Sequence, residues 1–255
     1  MHIYFTFLTF ILGLVLASFF NALLYRIDNG YKYPDIFIKG SHCEKCGKYL
    51  SVYELIPVVS FLIFKGKCSK CGYRVPICYP ISELLLGIGF SSIYYFSLSP
   101  ALYVVLIFFF SFSYFDRIYK GIPQVLVNVF LILSVIYFFV ILLIKDIIVD
   151  NALIVGIGLS LFILVLSKLM RKPFGIGDIL VLIGLSIFLN MSLYIGFIYI
   201  FLIITCIYAV VRVLLKKASF KTAIPLLPFM YASLVVLFLS NSFVSNLLDK
   251  IFLFD

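Results

Sequence analysis

The chain has 255 residues, 64% of them hydrophobic and only 12% charged, with a mean hydropathy of +1.21. A soluble domain is about 45–50% apolar and about a quarter charged, so a soluble fold, a disordered chain and a secreted disulfide scaffold are excluded. The 20 basic against 11 acidic residues give +9; in so apolar a chain that excess marks membrane-flanking loops, and no nucleic-acid partner is expected.

In chain order the apolar runs fall at 3–25, 77–96, 100–115, 123–144, 151–169, 178–190, 192–214 and 225–247. At about 20 residues per span, the apolar content allows about eight crossings. No strand-like alternation appears, so helices that satisfy their own backbone are expected. The expected fold class is an all-α polytopic membrane protein of about eight transmembrane helices with one small cytoplasmic loop domain. Its expected parts are a first transmembrane helix (1–27), the loop (28–76) and a seven-helix core (77–255).

Loop charges set the expected orientation. The first loop carries Arg26, Lys32, Lys39, Lys45, Lys48, Lys65, Lys67, Lys70 and Arg74, whereas the second, around Leu98, has no charge. The third has Arg117 and Lys120, and the fourth one Lys (Lys145) beside Asp146 and Asp150. The fifth has Lys168, Arg171 and Lys172, the sixth none, and the seventh Arg212, Lys216, Lys217 and Lys221. Basic and non-basic loops alternate, which predicts both termini outside and the basic loops inside. The first run has no basic flank and no small-residue cleavage site, so it reads as a retained span.

Four cysteines stand in the first loop, as Cys43-Glu-Lys-Cys46-Gly47 and Cys68-Ser-Lys-Cys71-Gly72. Each pair puts two thiolates on a tight turn, with a glycine free to adopt positive φ behind it. Two such turns can close a tetrahedral Zn²⁺ site, and four thiolates leave no open position, which makes the metal structural. Disulfides are disfavoured on a reducing cytoplasmic face. His42 reads as a bystander, and Cys78 and Cys206 as small buried hydrophobes.

Sorting the eleven acids by depth isolates three at the spans: Glu83, Asp116 and Asp178. Asp116 closes the third run and Asp178 opens the sixth, so both are expected at the same membrane face. A carboxylate pair there suits acid–base activation of water for attack on an amide. Gly175 and Gly177 would leave room for an extended peptide beside Asp178. By its own helix end, Asp178 is expected to hold the charge and Asp116 the proton.

Several segments together resemble the type IV prepilin peptidases. Gly175-Ile176-Gly177-Asp178 is similar to their GxGD motif, and Asp116 with Gly121-Ile122-Pro123 to their first catalytic segment. Ser18-Phe19-Phe20-Asn21 with Tyr25-Arg26 resembles their opening motif, although Ala17 replaces a glycine. Glu54-Leu55-Ile56-Pro57-Val58-Val59-Ser60 before Gly66-Lys67-Cys68 resembles the linker between their cysteine pairs. Tyr79-Pro80-Ile81-Ser82-Glu83-Leu84 and Ile224-Pro225-Leu226-Leu227-Pro228-Phe229 are similar to two later motifs. Gln124 stands where many members carry an acid, which leaves Asp116 as the first aspartate.

The resemblance implies an aspartyl peptidase of the bacterial cytoplasmic (inner) membrane. It would remove the leader of type IV prepilins or pseudopilins at the cytoplasmic face and N-methylate the new terminus with S-adenosylmethionine. Asp116 and Asp178 would be the catalytic pair, supported by Gly175, Gly177 and Pro123. Cys43, Cys46, Cys68 and Cys71 would hold zinc. Gly66 and Lys67 are candidates for methyl transfer, and Glu54 and Glu83 for contacts to a basic leader. An intramembrane protease of the presenilin or signal-peptide-peptidase type shares GxGD but gives no reason for the cysteine loop. A transporter would predict internal repeats, and none is visible.

Overall fold

The computed structural model describes residues 1–145, 154–159, 161–162, 165, 175–215 and 225–240. Among them the chain is helical, without a strand in the described residues, and two isolated antiparallel bridges join His42 to Tyr49 and Lys67 to Arg74. The helices are α1 (His2–Asp28), α2 (Asp35–Ile38), α3 (Val59–Ile63), α4 (Cys78–Tyr95) and α5 (Ala101–Tyr119). They continue as α6 (Gln124–Lys145), α7 (Ile176–Phe188), α8 (Met191–Leu214) and α9 (Leu227–Leu239). Seven of the eight predicted apolar runs coincide with a described helix. The run 151–169 lies largely outside the described residues, as do the basic clusters at Lys168–Lys172 and Lys216–Lys221. Among the described residues four helices, α1, α5, α6 and α8, are long and apolar enough to cross a membrane; α7 and α9 are shorter apolar helices.

The chain divides into two compact units, residues 1–98 and 99–255. The expected partition grouped α4 with the later helices. Instead α4 packs along α1, and the cysteine loop between them completes the first unit. The α1–α4 contact is backbone to backbone: a Cβ on Gly13 would lie 2.7 Å from Gly87 Cα and from Leu86 O. Lipid tails are as apolar as leucine, so close backbone approach and interhelical hydrogen bonds hold helices together in a membrane. Asn21 provides such a bond, its amide donating to Ser82 Oγ at 3.1 Å. Four buried positions of α1 (Gly13, Ala17, Asn21, Leu24) recur every three or four residues and form one stripe, and Arg26 is buried beyond its end.

In the second unit α5 packs on α9, α6 on α7, and α8 on α9. Aromatic rings fill its centre. Phe130 meets Phe112 edge-on with centroids 5.5 Å apart, and Tyr137 stacks on Phe188 at 4.8 Å. Gly184 lets Phe130 lie against α7, since a Cβ there would sit 2.7 Å from the ring. The turn into α8 is capped by Asn190, whose side chain accepts the Leu193 N–H at 2.9 Å. Cys206 on α8 is exposed, against the expectation of burial, because α8 turns this face away from the other helices of its unit.

Candidate active site and metal centre

The second unit brings the two predicted aspartates into electrostatic reach of each other. Asp116 sits on the last full turn of α5, which ends at Lys120 in a left-handed conformation whose N–H returns to Asp116 O at 2.9 Å. The side chain is only 6% exposed. Its Oδ2 accepts the N–H of Leu227, the first residue of α9, at 3.0 Å. An amide at a helix start has no partner within its own helix, so a carboxylate is a natural cap for it. Pro228 follows in the first turn of α9, where the missing N–H costs nothing. The start of α9 thus presents the Leu227 amide to Asp116.

Asp178 is the third residue of α7, and its N–H bonds back to Gly175 O at 3.1 Å. The carboxylate folds over Gly175: a Cβ there would lie 2.9 Å from Asp178 Oδ2. A Cβ on Gly177 would meet Ile122 Cδ1 at an ordinary 3.5 Å. The two glycines are therefore not equivalent. Gly175 makes room for the Asp178 carboxylate itself, a different use from the substrate clearance expected from the sequence. Gly177 faces the Gly121-Ile122-Pro123 turn that follows α5.

In the first unit the four cysteines converge, with all Sγ atoms within 4.8 Å of one another. Cys43 and Cys71 are 3.8 Å apart and Cys46 and Cys68 4.0 Å. An ion at the centre of a tetrahedron with about 2.3 Å bonds spaces its sulfurs by roughly 3.8 Å. The two turns repeat one geometry. The Gly47 and Gly72 N–H groups each bond to the first cysteine's carbonyl at 3.0 Å, with φ of 66° and 68°. The amides of Cys71 and Lys70 draw the Cys68 thiol down to about 6. Against the pull of the Tyr73 amide, desolvation and the neighbouring sulfurs push Cys71 up to about 11. Four sulfurs this close do not all ionise without a cation among them. The group can hold a metal ion; His42 is not part of it.

Glu54, expected as an open acid for a basic leader, is already engaged. Its carboxylate meets Lys48 Nζ at 2.8 Å, accepts from Ser69 Oγ, and takes the Ser51 N–H and hydroxyl at 2.9 and 3.0 Å. Lys48 follows one cysteine turn and Ser69 lies within the other, so Glu54 ties the two together. Lys48, then Ser69 and the Ser51 amide, hold its carboxyl down at about 2.

Glu83 on α4 is buried, 8% exposed, and its Oε2 accepts the Val58 N–H at 2.8 Å. It is also hydrogen-bonded to Ser18 on α1. Val58 is the centre of a turn with φ 60° and ψ −48°, closed by the Val59 N–H on Pro57 O. That conformation is rare and strained for a β-branched residue. Gly66 is a second special position. Its φ is 64°, and the Phe61 ring lies 2.7 Å from where a Cβ would be.

Glu54, Glu83, Gly66 and Lys67, taken from three separate sequence segments, all line one cleft of about 230 Å³. Its walls are the polar end of α1, the start of α4 and the cysteine loop, with Cys43 and Cys68 at its edge. Sequence reasoning missed Tyr25, Phe61, Tyr73 and Tyr79 as further lining residues. The aromatic content of the loop was the available signal.

A family-model match falls on this same unit. Residues 11–97 match the family model of the Bacterial Peptidase A24 N-terminal domain. The chain resembles the type IV prepilin peptidases. Among curated relatives it is similar to a "Prepilin leader peptidase/N-methyltransferase" of Bacillus subtilis, 40% identical over 83 residues, covering 32% of each chain. A Myxococcus xanthus protein of the same name is 37% identical over 81 residues, covering 32% of this chain and 23% of the relative. One from Vibrio cholerae is 35% identical over 92 residues, covering 34% and 36%. The matches thus span about a quarter to a third of these prepilin peptidases' length. No solved structure matches.

Proposed function

We propose that the chain is a membrane aspartyl endopeptidase that removes the leader of type IV prepilins or pseudopilins and N-methylates the new terminus. The observation that carries the peptidase half is the Asp116–Asp178 pair, drawn together from the end of one helix and the start of another. In the proposed reaction one carboxylate takes a proton from water as the water oxygen bonds to the scissile carbonyl carbon. The other carboxyl, protonated, donates its proton to the carbonyl oxygen; the C–N bond then breaks as the leaving amine takes the proton held by the first. Gly175 keeps the Asp178 carboxylate in place, and Gly177 with Pro123 fixes the approach of the two segments.

The relatives' names support the methyltransferase half, with S-adenosylmethionine as methyl donor. The cleft of the first unit is its proposed site, since Gly66, Lys67 and Glu83 line it. The donor set of four thiols, their near-tetrahedral spacing and the paired glycine turns fit Zn²⁺, which would staple the loop that walls this cleft. Glu54 serves that staple. The basic loops support a placement in the bacterial inner membrane with both termini outside and the chemistry at the cytoplasmic face.

The test is incubation of the purified chain in detergent with a synthetic prepilin and methyl-labelled S-adenosylmethionine. The expected products are the freed leader and label on the new N-terminus, with one zinc per chain by elemental analysis. An intact prepilin would overturn the peptidase reading. Cleavage without label would overturn the methyltransferase reading alone.

A further inference from the structure

Glu83 is a buried carboxylate on the cleft wall with no cation paired to it among the described residues. Among the described residues the ion pair is Lys48–Glu54, and no Lys or Arg pairs with Glu83. Of the cations on the cleft wall, Arg26 is turned to the loop, donating to Ile36 O at 2.8 Å and to Ser41 Oγ at 3.5 Å. Lys67 is exposed. A buried carboxylate held only by an amide and a hydroxyl has no counter-charge among its surroundings, and a bound cation would supply one.

Two features of the site point to a ligand rather than to a structural acid. The amide on Glu83 belongs to Val58, whose strained turn persists only because neighbouring groups over-determine it, a pattern concentrated at ligand sites. The wall also carries the rings of Tyr25, Phe61, Tyr73 and Tyr79, with the acids Glu44 and Glu54. Aromatic faces beside a carboxylate make a site for a compact organic cation.

We propose that Glu83 anchors an organic cation, a sulfonium or an ammonium, in the cleft between α1, α4 and the cysteine loop. The proposal rests on the methyltransferase half of the reading above, whose methyl donor is a sulfonium and whose acceptor is an amine. Glu83 is here a binding residue, and the identity of the bound cation decides which partner it holds.

The test is calorimetric binding to the full chain in detergent with its metal retained, using two matched pairs. S-adenosylmethionine and S-adenosylhomocysteine differ by the methyl that charges the sulfur. Phenylalaninamide and its N-acetyl form differ by the charge on the amine. The charged member of one pair or both should bind about tenfold tighter or more, and Glu83→Gln should reduce that preference below about twofold. The pair that responds identifies the source of the cation. Equal affinities within both pairs, no binding of any member, or a preference untouched by Glu83→Gln overturns the proposal. If melting shows that Glu83→Gln does not fold, Glu83→Asp decides. It should weaken the charged member more than the neutral one, and equal weakening overturns the proposal. Label transfer is scored separately: its absence beside a Glu83-dependent preference sinks the methyltransferase reading and leaves the cation site standing.

Discussion

The Asp116 carboxylate, on the last turn of α5, accepts the backbone N–H of Leu227 at the start of α9, 111 residues further on. This contact removes the asymmetry that helix ends alone suggest. Asp178 stands in the first turn of α7, where negative charge is favoured, and Asp116 stands at the C-terminal end of α5, where it is not. But Asp116 also stands at the N-terminal end of α9. The two aspartates thus each face one helix start, and the expected division of charge and proton no longer follows from the dipoles.

Gly175→Ala and Gly177→Ala should separate the roles of the two glycines. At 175 the new methyl would press on Asp178 Oδ2 from 2.9 Å, so the carboxylate must move. At 177 the methyl gains an ordinary contact with Ile122. Gly175→Ala should lower prepilin cleavage by about tenfold or more, since misplacement by about 1 Å costs that much and beyond. Gly177→Ala should stay within about threefold and melt no lower, because alanine is the better helix former. Equal losses in both variants would contradict the geometry.

Gly13→Ala tests the backbone contact that holds the first unit. Its Cβ would sit 2.7 Å from Gly87 Cα and Leu86 O, atoms that cannot rotate away. Overpacking of this kind costs about 1–3 kcal/mol. Thermal unfolding followed by a probe in α4 should show the loss, and an unchanged melting temperature would contradict it.

Glu54 predicts a pH window. Its folded pKa, about 2, lies below the unfolded value of 4.5. The stability it contributes is therefore present above 4.5 and lost as pH falls toward 2. The pair lies at the loop surface, with the Lys48 side chain 30% exposed, so screening limits the contribution to about 1 kcal/mol or less. Glu54→Gln should lower loop stability at neutral pH by up to that amount and flatten the acid limb between those values. Protease nicking of the loop as a function of pH reads both effects.

The helices were legible because hydrophobic runs near 20 residues long leave little choice in a membrane, and seven runs fall on described helices. The cysteine cluster was equally plain from two near-identical turns. Other features depend on contacts that no local pattern encodes. The α1–α4 pairing rests on two glycines 74 residues apart in sequence, which moves α4 into the first unit. Glu54 looked open because the Lys48 and Ser69 that occupy it belong to separate turns. Glu83 was visible as a deep acid, but its bond to a strained Val58 was not.

The central claim is that Asp116 and Asp178 carry out the hydrolysis, and the most direct measurement is single-turnover cleavage of a prepilin by Asp116→Asn and Asp178→Asn. Asparagine keeps the size of each side chain and an acceptor oxygen, so Asp116→Asn can still receive the Leu227 amide. Each variant should fold as the parent does, bind metal as the parent does, and cleave at least about a thousandfold more slowly. Retained cleavage in either variant would contradict the account.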